Sequence, residues 1–146
     1  MYSSQEISRV RKSFWTAFGQ YMSLHLSADG EKINWVNYKT GLKQVNFKMM
    51  AGNSNAVIAI EITHPDSSVR FDYFLRLLQL KKVLEQYVGE QWLWVKDMTD
   101  ENGKPVSRIY RELSSANVNN KEDWPAIISF FKPRLIALEE FWTLAR

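Results

Sequence analysis

Glu61 has the setting most suggestive of chemistry. It lies in AVIAIEIT, positions 56–63, the most apolar stretch of the chain, where alternation sets it on the face opposite Ile58, Ile60 and Ile62. A carboxylate there needs a partner, because an isolated buried charge is strongly disfavoured. Lys48 on the preceding strand, or Arg108 on a more distant one, supplies the opposite charge. The group then reads either as a structural ion pair or as part of a site that holds a divalent cation and positions a water for attack. The structural pair is the favoured reading, since buried ion pairs form without any function. A catalytic version would have to recruit further carboxylates, from Glu6, Asp66 or Glu112.

A second constellation is aromatic and basic. Lys39, Lys43, Lys48, Arg108 and Arg111 share strands with Trp35, Tyr38, Trp92, Trp94 and Tyr110. Rings that stack bases beside cations that meet phosphates are what a nucleic-acid surface requires. The competing reading puts the rings in the core and the cations on a solvated rim. The candidate binding surface is Trp35, Tyr38, Lys39, Lys48, Glu61, His64, Arg108 and Tyr110.

Other chemistries find no support. The two histidines, His25 and His64, have no cysteine partners and no HExxH spacing, so no metal site is expected of them. His25 reads as a residue at a helix end, and His64 as one at a strand end within reach of Asp66. The six glycines are scattered without a phosphate-binding pattern, and no GxSxG elbow is present. No cofactor is implied, and a non-enzymatic role is favoured.

The elements that must position these residues follow from periodicity. Ser3 and Glu6 form a capping box ahead of a helix from about residue 4 to 22, with Ile7, Val10, Phe14, Phe18 and Tyr21 on one face. Alternation then predicts three strands between 32 and 63, the first around Ile33 and Trp35, the second around Val45, Phe47 and Met49, the third at 56–63. Thr40-Gly41 and Gly52-Asn53-Ser54-Asn55 separate them. Pro65 and Asp66 open a second helix whose stripe runs Tyr73, Leu77, Leu80, Leu84, Tyr87 and stops at Gly89. Strands follow at Trp92–Val95 and Val106–Leu113 around an Asn102-Gly103 turn. The last helix begins near 120–125 and packs Trp124, Ile128, Phe131, Leu135, Leu138 and Trp142 inward, with a kink or break expected at Pro133. The fold class is α+β: a five-stranded, mainly antiparallel sheet with three helices in the order α-β-β-β-α-β-β-α. A helix, three strands, a helix and a strand resembles the restriction-endonuclease-like core, in which an acidic residue and an acid-x-Lys pair on neighbouring strands hold the metal. This sequence departs from that motif at two positions, since Glu61-Ile62-Thr63 lacks the lysine and Lys48 lacks the acid, so the nuclease reading is of a divergent or degenerate enzyme.

With 146 residues, 45% hydrophobic and 24% charged, the chain reads as one domain spanning 1–146. A net charge of +3 permits a polyanionic partner without requiring one. The absence of cysteine fits a reducing cytoplasm. The polar opening MYSSQEISRVRKSF reads as helix and not as a signal peptide, and no apolar run is long enough to span a bilayer, so no membrane association is expected.

The segments NWVNYKTGLKQVNFKM (34–49), AVIAIEITHPD (56–66), VSRIYRELSSANVNNKEDWP (106–125) and AIISFFKPRLIALEEFW (126–142) together resemble the uncharacterised bacterial family known as domain of unknown function 4268. The patterns IYxEL and DWP…FxKPR carry the likeness, which spans nearly the whole chain. The resemblance implies a domain found alone or beside a nuclease-like region, and brings no catalytic residue with it. The resulting expectation is a self-associating binding or interaction domain acting beside nucleic acid or a nuclease partner.

Overall fold

Ser3 opens the first helix, α1 (Ser4–Met22), with the expected reciprocal cap: its hydroxyl accepts the Glu6 N–H at 3.1 Å, and the Glu6 carboxylate accepts the Ser3 N–H at 3.2 Å. The computed structural model describes residues 3–145. Phe14, Phe18 and Met22, one helical face, are fully buried.

The chain then departs from its alternating pattern. Residues 31–44 form an irregular connection, not a strand. The Asn34 side chain accepts the Asn37 N–H at 3.1 Å and bends the backbone, while the Trp35 indole N–H donates to the His25 carbonyl at 3.0 Å. Ile33 and Trp35 therefore alternate because a loop pins one ring into the core, and so short a run cannot be told from a strand by period alone. Gly41, at φ +87°, turns the chain into the sheet.

Four strands follow in two hairpins: β1 (Val45–Ala51) with β2 (Asn55–Ile62), then β3 (Leu93–Thr99) with β4 (Pro105–Ser114). Every pairing is antiparallel, in the order β1-β2-β4-β3, which sets the most apolar strand and its partner at the centre. Phe47, Ile58, Ile60, Ile62 and Ile109 point to one face and share a single core with the helices.

Asp66 caps the second helix, α2 (Ser67–Leu78), accepting the Ser68 hydroxyl at 2.7 Å and the Ser68 N–H at 2.9 Å; these hydrogen bonds from Ser68 hold its carboxyl below the usual aspartate range. The apolar stripe continues to Tyr87, yet the helix stops. Leu80 N–H closes on the Leu77 carbonyl at 2.8 Å, and the chain restarts as α3 (Lys81–Val88), which ends on left-handed Gly89. The break redirects the chain: α2 lies along β2, β3 and β4, whereas α3 lies along the last helix, α4 (Trp124–Ala145). One straight rod cannot follow both.

At Pro133 the chain does not break into two helices: α4 runs through it as one element. The ring is on the exposed side, where water can take the carbonyl left free one turn back, and fully buried Phe131 and Leu135 hold the flanking turns. The fold is thus α+β with one antiparallel sheet, but among the described residues it has four strands and four α-helices, in the order α-β-β-α-α-β-β-α. Among the described residues no helix is long and apolar enough to cross a membrane.

Candidate functional site

The sheet face turned away from the core carries the charge. Alternation sends Lys48 from β1, Ala59 and Glu61 from β2, and Arg108 and Tyr110 from β4 to that side. Arg108 stands directly opposite Glu61, nearer than the sequence order suggests, while Lys48 lies diagonally across from it. The Arg108 guanidinium donates through Nε at 2.8 Å and Nη2 at 2.6 Å to one Glu61 oxygen, and Lys48 Nζ lies 3.6 Å from the other. Glu61 and Arg108 are 3% and 7% exposed. Such burial is tolerable because each charge meets its opposite with directed hydrogen bonds.

The cover comes from the β3–β4 turn. Asp100 accepts the N–H groups of Asn102 and Lys104, both at 2.9 Å, and Gly103 at φ +80° completes a tight tip. β3 slips in register between Val95 and Met98, a bulge that adds twist. The tip reaches across the sheet, so that Glu101 hydrogen-bonds Lys48 on β1 and lies 3.5 Å from Arg108. The Lys48 hydrogen bond is the main cause holding the Glu101 carboxyl below its ordinary range; the backbone of Lys104, with the charges of Lys48 and Arg108, does the same for Asp100. Two cations and the carboxylates of Glu61 and Glu101 form a closed circuit. Glu101 was not foreseen from the sequence, where the only signal is its place just before Asn102-Gly103.

Of the eight expected surface residues, the structure brings Lys48, Glu61, Arg108 and Tyr110 onto this face. The other four lie elsewhere. Trp35 is in the core, and Tyr38 stacks on Phe47 with centroids 4.9 Å apart. Lys39 is exposed on the connection into β1. His64 sits at the end of β2, its ring nitrogen accepting the Asp66 N–H at 3.0 Å and its carbonyl accepting from Arg70 at 2.8 Å. Trp92 and Trp94 also turn to the helices, the first buried with its indole N–H on Glu90, the second edge-on to Phe74. Arg111 is held near the same Glu90, at 3.6 Å. Glu6, Asp66 and Glu112, the alternative acids, are engaged in the α1 cap, the α2 cap and a 2.6 Å hydrogen bond from Asn55. Among the described residues, no group of three or more His, Asp or Glu is placed to hold a metal ion.

The model of the domain of unknown function DUF4268 matches residues 10–145, almost the full length. The chain belongs to the DUF4268 family. Within this DUF4268 domain, the Glu61 network, the hairpin tip and all four helices lie inside or largely inside the matched region. No curated protein and no solved structure matches the chain.

Proposed function

We propose that the domain is a binding module without chemistry of its own, and that what it binds is a protein. The closed charge circuit carries this reading. Both oxygens of Glu61 face cations under the hairpin tip, so a divalent ion would have to enter against the charges of Arg108 and Lys48. The same circuit occupies the two basic residues best placed to meet a phosphate, and Trp35, one of the expected stacking rings, is in the core. Leu93, 57% exposed, borders Tyr110 beside the charged face and offers a protein partner an apolar contact there. A nuclease-like region, as the family resemblance implies, is a partner of that class.

Titration with duplex and single-stranded DNA at low salt is expected to show no saturable, salt-dependent binding. Plasmid incubated with Mg²⁺ or Mn²⁺ is expected to stay intact. Binding that weakens in Lys39→Ala, or cleavage that disappears in Glu101→Gln, would overturn the reading in favour of nucleic acid or of catalysis respectively.

A further inference from the structure

On the helix side, the C-terminal ends of α2 and α4 and the turn before β1 line a half-open cavity of about 440 Å³, within the range that holds small molecules. Its walls are hydrocarbon and aromatic: Leu42, Val45, Tyr73, Leu77, Leu80 and Trp142. Apart from the Tyr73 hydroxyl, the polar side-chain groups beside them are already engaged. The Thr40 hydroxyl lies 2.6 Å from the Val45 carbonyl, to which it donates, and accepts the Leu42 N–H at 3.1 Å. The Trp142 indole N–H donates to the Thr40 carbonyl at 2.7 Å. The deep end of an occupant meets no free hydrogen-bonding partner among these groups, so that end must be apolar.

Among the described residues, one charged side chain lines the cavity, Arg76. It pairs with Asp72 at 3.0 Å across a helical turn, with both side chains more than half exposed, an arrangement that another carboxylate can replace at little cost. The adjoining cleft shares Thr40, Gly41 and Leu42 with the cavity and adds Lys39 and Lys43. Arg76, balanced by Asp72, stands at the mouth of an apolar interior, with the two lysines in the cleft beside it. We propose that this cavity binds an amphipathic monoanion, a medium-chain aliphatic carboxylate, with its chain against Leu77, Leu80 and Trp142 and its carboxylate on Arg76. The site uses none of the residues on which the protein-binding reading rests, and it stands or falls separately.

Decanoate, kept below its micellar range, tests this when titrated into the ¹⁵N-labelled chain with the Trp142 indole N–H as reporter, beside decanol and decyltrimethylammonium. The expected result is a saturable shift with decanoate, binding about two- to fivefold weaker with decanol, the range set by one exposed ion pair, and weakest with the cation. Arg76→Gln lowers decanoate affinity to that of decanol. Asp72→Asn raises it, because the guanidinium is released. Both positions are on the surface, so neither change endangers the fold. Equal binding of the three amphiphiles, an unmoved Trp142 indole, or indifference to Arg76→Gln would overturn the proposal.

Discussion

At the scale of single residues, the Glu61–Arg108 pair is a structural commitment of the chain to a buried charge. Removing one partner strands the other, so Glu61→Gln and Arg108→Met are each expected to cost about 3–5 kcal/mol in urea unfolding, whereas Glu61→Leu combined with Arg108→Leu loses less than either. A Glu61→Leu/Arg108→Leu double variant as unstable as the sum of the two matching Leu singles would show that the pair is not coupled. Glu90 gives a pH-dependent counterpart. Burial pushes its carboxyl up, but hydrogen bonds from Arg134 and Trp92 and the charges of Arg134 and Arg111 outweigh burial and hold it below the ordinary 4.5. A folded value below the unfolded one stabilises fully above the unfolded value and ceases to do so as pH falls through the folded one. The stability lost in Glu90→Gln is therefore expected to be constant near neutrality and to shrink below about pH 4.5. A difference that grows on acidification would contradict the assignment. That Glu61 needed a cation was legible from a carboxylate amid isoleucines; that Glu101 would close the circuit was not, because its reach depends on how the hairpin curls.

Among the elements, those fixed by neighbouring residues were the legible ones. The α1 cap depends on Ser3 and Glu6, the end of α3 on Gly89, and the β3–β4 turn on Asn102-Gly103, each a matter of a few adjacent bonds. The split between α2 and α3 was hidden, since the apolar stripe passes unbroken through Leu80 and only the need to serve the sheet and α4 in turn divides it. Gly89→Ala forces a side chain into φ +70° and is expected to cost about 1 kcal/mol by thermal or urea melts. Pro133→Ala restores a helix N–H on an exposed turn, and a gain of about 1–3 kcal/mol is expected. A loss instead would mean that the ring packs against a neighbour and supports α4 more than its missing hydrogen bond weakens it.

For the whole molecule, the two outer strands are unlike. β3 carries the register slip and exposed Lys96 and Asp97, features that spoil a template for a further strand. β1 is paired with β2 along all seven of its residues without interruption and ends the sheet, its outer side engaged at Val45, whose N–H and carbonyl meet the Leu42 carbonyl and the Thr40 hydroxyl. A molecule with one usable border can accept one neighbour there, and the neighbour, using its own, has none left to offer. Growth by strand addition accordingly halts at a pair, so concentrated solutions are expected to scatter light as a discrete two-fold species and never as a lengthening fibre.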